Sequence, residues 1–368
     1  MKKITFIIGI MGNGGAERVI SVLSNNFIDH DYKVNIITIY GNRTDYNIDK
    51  RIDVFNIECK DNRKICRYIE RIKKIRKLIK EINPDIIISF LADVNIFVLI
   101  ATLFLKNKII ISERNDPNSD PKSKLVRILR DKLYFISDGY VFQTDDARDY
   151  FSYKIKNKGA VIPNPIENDL PHYNYIGTRK EEVVSVCRLC EQKNIKMAID
   201  AFYIFSKTCP TYTYTIYGDG PLKSELQNYI KTIGLSHKVK LAGFEKNIHE
   251  KIISSKMLII SSKYEGISNI MLESMAIGLP VISTDCPIGG ARKVIQNYQN
   301  GVLIPVENTK QLAIEMVKLA TDDSLYHTIS ANAIQVKNDY SANTISEKWI
   351  KYINKIIGVC NAKKFDNI

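Results

Sequence analysis

Residues 264–276, Tyr-Glu-Gly-Ile-Ser-Asn-Ile-Met-Leu-Glu-Ser-Met-Ala, hold two carboxylates eight positions apart, Glu265 and Glu273. Ser268 is a good N-cap type, and Ile270, Met271, Met275 and Ala276 recur as the apolar face of a helix that starts there. Glu265 therefore belongs to the entering loop and Glu273 to the helix. A helix start attracts phosphate through its amide groups and dipole. A carboxylate beside a phosphate makes chemical sense when it holds something attached to that phosphate, such as a sugar. The cations that such a site needs stand upstream. Arg188 ends a strand-like run and Lys193 follows five residues later, just before a helical pattern. Arg offers a bidentate fork and Lys a point charge, so the two are suited to clamp a diphosphate.

Other strand-to-helix turns carry small residues. Gly12-Asn13-Gly14-Gly15-Ala16-Glu17-Arg18 follows the first strand but is not the dinucleotide fingerprint, because Glu17 stands at the third glycine position. Its Gly-Gly turn still lets backbone amides approach a ligand, and a plain tight turn is the alternative. Gly218-Asp219-Gly220 is a similar turn. Phe244 ends a strand where it could wall a base or simply pack. Glu113, Arg114, Asn115 and Asp116 are expected at a cleft mouth after another strand. Cys187 and Cys190 spell C-x-x-C without a second pair or paired histidines, so they read as two small buried thiols.

Strands are expected at 3–10, 33–40, 53–57, 85–90, 108–112, 139–143 and 160–163. A second set is expected at 183–186, 213–217, 239–242, 257–261, 281–284 and 302–304. Helical patterns separate most of them, near 16–29, 65–82, 94–105, 122–136 and 145–153 in the first half. The tail carries further helices near 309–320, 324–337 and 343–358. Strand–helix alternation with fully apolar strands predicts parallel sheets covered on both faces, and the pattern occurs twice. The Pro-, Asn- and Tyr-containing stretch 164–180 has no periodicity and reads as the linker. Two such domains place their ligands at the carboxyl ends of the strands, in a cleft between them.

The 368 residues carry 53 Lys and Arg against 40 Asp and Glu, a net charge of +13 that favours anionic partners. Residues 60–81 hold ten basic and three acidic residues, with Ile65, Ile69, Ile72, Ile75, Ile79 and Ile82 at helical spacing. Residues 122–135 repeat the design, with Lys122, Lys124, Arg127, Arg130 and Lys132 opposite Leu125, Ile128, Leu129 and Leu133. Both read equally as solvated faces or as contacts with an anionic membrane surface. Nucleic acid fits poorly, because no basic patch is interleaved with aromatics. The start of the chain reads as a buried strand rather than a signal peptide, and no apolar run reaches the ~20 residues of a span, so a cytoplasmic protein is expected.

These pieces, in this order, resemble the retaining, nucleotide-sugar-dependent glycosyltransferases of family 4. The resemblance covers nearly the whole chain: 14–18, Arg188 with Lys193, 218–220, the E-x7-E pair and Asn300-Gly301. It implies an α/β GT-B fold of two Rossmann-like, doubly wound parallel-sheet domains facing across a cleft. Residues 1–165 would bind the acceptor and 176–342 the nucleotide sugar, with 343–368 crossing back to the first domain. Arg188, Lys193 and Glu265 would be the catalytic set, with Glu265 on the sugar. Glu273 would take the ribose, while Ser268, Asn269, Ile270, Gly14, Gly15, Gly218 and Phe244 complete the donor site. Glu17, Glu113, Arg114 and Asn115 are the acceptor-side candidates. Many relatives carry a histidine where Ser112-Glu113-Arg114 stands here, and Ala291-Arg292-Lys293 replaces a frequent Pro-Arg-Glu.

The implied reaction moves a hexose or N-acetylhexosamine, from a UDP-sugar by preference, to a polyprenyl-diphosphate-linked saccharide. It would serve capsule, O-antigen or exopolysaccharide synthesis on the inner face of the membrane. No metal or other cofactor is implied, since no Asp-x-Asp pair follows a strand and the cations neutralise the leaving diphosphate. The alternatives are a nucleotide-sugar 2-epimerase of the same architecture and a basic non-catalytic nucleic-acid binder.

Overall fold

The computed structural model describes residues 1–168, 170–171 and 179–358. The expected linker 164–180 therefore falls partly outside the described residues, as do positions 359–368 of the expected closing segment. The chain forms two compact units: Met1–Pro165 with Ala342–Ile368, and Ile166–Ser341.

The first unit holds seven strands: β1 (Lys2–Ile8), β2 (Tyr32–Thr38), β3 (Asp53–Asn56), β4 (Ile86–Phe90), β5 (Lys108–Ser112), β6 (Gly139–Phe142) and β7 (Gly159–Val161). They pair in parallel in the order β3-β2-β1-β4-β5-β6-β7. The second unit holds β8 (Lys180–Val186), β9 (Thr213–Tyr217), β10 (Val239–Gly243), β11 (Ser255–Ile260), β12 (Val281–Thr284) and β13 (Val302–Ile304). These are also parallel, in the order β10-β9-β8-β11-β12-β13. Each order reverses once, between β1 and β4 and between β8 and β11. Such reversals are where doubly wound sheets open a crevice at their carboxyl ends.

The central strands are buried on both faces, as their unbroken Ile, Val and Leu content requires. Two of the expected helices are split. The 145–153 pattern forms Asp145–Asp149 and Tyr153–Lys156. The 324–337 pattern forms Asp323–Ala333 and Val336–Tyr340. The expected 94–105 helix runs Ala92–Ala101, where Thr102 turns its hydroxyl back to the Val98 carbonyl and Phe104 takes a positive φ of 63°.

The two basic helices depart from a simple inside–outside pattern. In Lys64–Ile82 only Ile75 and Ile79 of the isoleucine stripe are buried, and Ile65 is 73% exposed. In Lys124–Tyr134, Leu125 is 78% exposed, with Ile128 and Leu129 also exposed. Arg71 and Arg130, expected on the basic faces, are buried instead. Arg71 donates to the Ile39 carbonyl at 2.8 Å, and Arg130 to the Asp120 carbonyl at 2.7 Å. A buried guanidinium needs acceptors, and a strand-end carbonyl and a loop carbonyl supply them.

The helix Ala342–Ile357 returns to the first unit and completes its core with Ile345, Trp349, Tyr352 and Ile353. Trp349 stacks on Phe90, with ring centroids 6.0 Å apart. Tyr352 accepts from the Tyr140 amide at 2.8 Å and donates to the Lys158 carbonyl. This packing predicts that Trp349→Ala lowers stability by about 3–5 kcal/mol. Denaturant unfolding followed by circular dichroism measures it. A loss under 1 kcal/mol would contradict the packing.

Candidate active site

In the second unit the loops after β8 and β11 meet at the sheet's reversal point. Three hydrogen bonds lace them: Lys263 N to Gln192 O at 2.8 Å, Gln192 Nε2 to Tyr264 O at 2.9 Å, and Ser261 Oγ to Lys193 O at 2.7 Å. Lys193 closes a short 3-10 turn, Glu191–Lys193, just ahead of the helix Ile195–Thr208. Held there, its Nζ donates to Glu265 Oε1 in an ion pair, while Ser262 Oγ donates to Glu265 Oε2 at 2.6 Å. Both charged side chains are mostly buried. Desolvation opposes the Lys193 ammonium, but the facing carboxylate outweighs it and raises the pKa. The loop after β12 braces the same point, since Thr284 Oγ1 and Cys286 Sγ both donate to the Ser262 carbonyl, at 2.7 and 3.0 Å.

Arg188 lies exposed on the loop after β8, with no side-chain hydrogen bond or ion pair among the described residues. Ser268 occupies the N-cap position of Asn269–Ala276, but its hydroxyl makes no cap bond, unlike the expectation from its type. Met271, Met275 and Ala276 are buried as expected, and Ile270 is only partly so. Glu273 is fully buried, and His249 Nε2 sits 2.9 Å from its Oε2. His249 belongs to the short helix Ile248–Ile252, and nothing in its local sequence links it to a glutamate 24 positions away. The one usable signal was that a glutamate on the buried face of a helix must find a donor.

Gly218 serves backbone packing. Its φ is +129°, and a Cβ there would lie 1.8 Å from the Cys187 carbonyl oxygen. Only glycine lets the β9 turn rest on the loop that carries Arg188. Phe244 follows β10 and is exposed. The C-x-x-C cysteines are free thiols, and burial pushes Cys187 up to about 12, so it holds its proton. Among the described residues no group of three or more His, Cys, Asp or Glu stands together as a metal-ligand set.

In the first unit, Gly14 and Gly15 follow β1 at the opening of the helix Gly15–Ile28. The Tyr46 hydroxyl donates to the Gly14 carbonyl at 3.0 Å. Glu17 folds back over Gly14 and, desolvated there, has a raised pKa. Glu113 and Arg114 are not at a mouth, as expected, but buried. Glu113 accepts from the Tyr134 hydroxyl and lies 3.9 Å from Arg130, and Asn95 Nδ2 donates to Tyr134 Oη at 2.9 Å. Arg114 stacks on Phe90 at 4.5 Å and Trp349 at 5.6 Å and donates to Asn164 at 2.9 Å. Burial pulls Arg114 down to about 9. Asn115 is half-buried beside them.

A model described as glycosyl transferases group 1 matches residues 172–336, and one described as glycosyltransferase family 4 matches residues 13–170. The chain belongs to the family 4, group 1 glycosyltransferases. This glycosyltransferase is 28% identical over 362 residues to a Campylobacter jejuni enzyme, covering 97% of this chain and 99% of the relative. That relative is named GalNAc-alpha-(1->4)-GalNAc-alpha-(1->3)-diNAcBac-PP-undecaprenol alpha-1,4-N-acetyl-D-galactosaminyltransferase. It is 26% identical to the amylovoran biosynthesis glycosyltransferase AmsD of Erwinia amylovora, over 96% of this chain and 99% of the relative. In fold it matches Anabaena HepE, solved with UDP and glucose, with a TM-score of 0.82 at 17% identity, over 96% of this chain and all of the other. Its two parallel sheets with flanking helices are the GT-B fold.

The buried Glu113 of the glycosyltransferase makes a pH prediction. Desolvation raises its carboxyl from 4.5 to about 7, with Arg130 and Tyr134 opposing. A folded-state pKa above the unfolded one contributes stability in full below about pH 4.5 and loses it as pH rises through 7. The stability of the native chain relative to Glu113→Gln should therefore fall by about 2–3 kcal/mol between pH 5 and pH 8. Denaturant melts across that range measure the difference, and a flat profile would contradict the burial argument.

Proposed function

We propose that this glycosyltransferase moves a hexose or N-acetylhexosamine, with retention, from a nucleotide diphosphate sugar to a saccharide on a polyprenyl diphosphate. A UDP-sugar is the favoured donor. The observation that carries the reading is the Lys193–Glu265 pair at the reversal point of the second sheet, with the guanidinium of Arg188, unpaired among the described residues, on the same loop as Lys193. Arg188 and Lys193 hold the diphosphate. Glu265 takes sugar hydroxyls near the reacting carbon, and Glu273, braced by His249, takes the ribose. Ser268, Asn269 and Ile270 offer helix-start amides to the phosphates, and Phe244 borders the base. Glu17 and Asn115 contact the acceptor, and the buried Glu113 and Arg114 hold the loop that carries Asn115.

Breaking the anomeric carbon–oxygen bond leaves positive charge on the ring and negative charge on the diphosphate. The two cations stabilise the second charge without a metal. Glu265, relieved of Lys193 as that ammonium turns to phosphate, is free to orient the ring. The acceptor hydroxyl attacks from the face that the phosphate leaves, and its proton passes to the departing phosphate oxygen.

The relatives' names support a lipid-linked acceptor, since two act on undecaprenol-diphosphate-linked glycans. No helix among the described residues is long and apolar enough to cross a membrane. The basic helices Lys64–Ile82 and Lys124–Tyr134 provide an anionic-surface contact on the cytoplasmic face.

The roles separate kinetically. Arg188→Ala should cost roughly 100-fold in kcat/KM. Glu265→Ala should lower mainly kcat. Glu273→Ala and His249→Ala should raise the donor KM about tenfold, with His249→Gln restoring most of it. Activity should survive EDTA. Native rates in Arg188→Ala would refute the diphosphate assignment. Release of a free epimerised sugar without any acceptor would favour the 2-epimerase.

A further inference from the structure

A pocket of about 320 Å³ lies in the first unit, between the starts of β1, β2 and β3 and the last turn of the helix Lys64–Ile82. Doubly wound sheets take their usual ligands at the carboxyl ends of the strands, so this pocket is at the other end. Strand register sets its rows. Lys3 pairs with Lys33, and two positions on Thr5 pairs with Asn35 and Asn35 with Asp53. Alternation puts them on the face of Ile7 and Ile37, which pack with Ile75 and Ile79 of the helix. A face under a helix is normally apolar where it is buried. Here Thr5 is fully buried and Asn35 is 2% exposed. Thr5 Oγ1 and Asn35 Nδ2 make no hydrogen bond among the described residues. A buried donor left unpaired opposes folding, and leucine at position 35 would suit the sheet better. The amide instead lines the pocket.

The charges around Asn35 balance. Lys3 Nζ donates to the Ile82 carbonyl, and Lys33 Nζ stands 3.7 Å from Asp53 Oδ2. Glu81 lines the helix side, 3.8 Å from Lys77. Cations and carboxylates together favour neither a bare anion nor a bare cation. The rest of the wall is apolar, from Phe55, Leu78 and Ile82. A ligand that uses all of these groups needs hydroxyls that both donate and accept, and a C–H face to lie on an aromatic ring. A sugar has both. The pocket is at the small end of ligand sites, the size for a mono- or disaccharide.

We propose that this pocket is a non-catalytic saccharide site. Asn35 is its buried amide contact, Lys33, Asp53 and Glu81 meet the sugar hydroxyls, and Phe55 and Leu78 lie against the ring. The donor-site residues Lys193, Glu265 and Glu273 belong to the second unit, so the two sites share no residue. A glycan held here stays at high local concentration between transfers. That consequence rests on the proposed transferase reading; the binding itself does not.

Saturation-transfer NMR on the full chain reads the binding, with the methyl glycosides of glucose, N-acetylglucosamine and N-acetylgalactosamine as probes. At least one should bind. Asn35→Leu should weaken it roughly tenfold and also raise the melting temperature of the free chain, because an unpaired buried amide is gone. Leu78→Trp, which fills the pocket, should weaken it as much. Glu265→Gln should leave it unchanged. Binding that persists in both pocket variants, or that disappears in Glu265→Gln, would place the sugar elsewhere and overturn the proposal. No glycoside binding by the native chain, with a lower melting temperature in Asn35→Leu, would give the amide to the fold alone. Tighter binding of glycine or inorganic phosphate than of any glycoside would overturn the choice of a sugar. Failure of the transferase reading would show differently, as no product from nucleotide sugar and lipid-linked acceptor while glycoside binding stays intact.

Discussion

The ion pair between Lys193 and Glu265 is the constraint on which the second unit's site depends. Each partner sits on a loop that leaves one of the two strands flanking the sheet's reversal. Taking both charges out of water is unfavourable unless the pair is well bonded, so the loops must hold their register. The laced backbone contacts between residues 192–193 and 261–264 do that, and Ser262 fixes the second carboxylate oxygen. The result is a cation and an anion kept adjacent but mostly dry. That is the arrangement needed where a phosphate and a sugar hydroxyl arrive together. It also explains Gly218, whose missing Cβ lets the next strand-end turn support the Arg188 loop from the side.

The first unit solves a different problem. Its core is closed by a helix from the far end of the chain, and Trp349 brings Arg114 and Phe90 into one stack. Buried beside this stack, Glu113, Tyr134, Asn95 and Arg130 satisfy one another. Meanwhile several apolar side chains on two basic helices remain in solvent. The first unit thus buries charge where acceptors reach it and leaves isoleucine exposed where its core ends.

Much of this was legible in the sequence, for physical reasons. Strand positions followed from unbroken runs such as Ile86-Ile87-Ile88, which only a doubly covered parallel sheet accommodates. Glu265, Lys193 and Arg188 were legible because their spacing from strand ends is local. What stayed hidden was tertiary. His249 reaches Glu273 only after two helices pack, and periodicity carries no trace of that. Arg130 lies at the right spacing for a solvated basic face, yet the 113–120 loop supplies acceptors that pull it inside. Ile65 and Ile69 continue the buried stripe of Ile75 and Ile79 in sequence, but the core ends before the helix does. Periodicity tells which side faces inward, not how far the core extends.

The proposed transfer requires Lys193 and Glu265 to act as one unit on the donor. A double-mutant cycle on kcat/KM for the nucleotide sugar tests it, using Lys193→Met, Glu265→Gln and the pair. Strong coupling is expected, with the double variant little worse than the worse single one and a coupling of at least tenfold, about 1.4 kcal/mol. Independent effects that multiply, in variants that unfold normally, would contradict it.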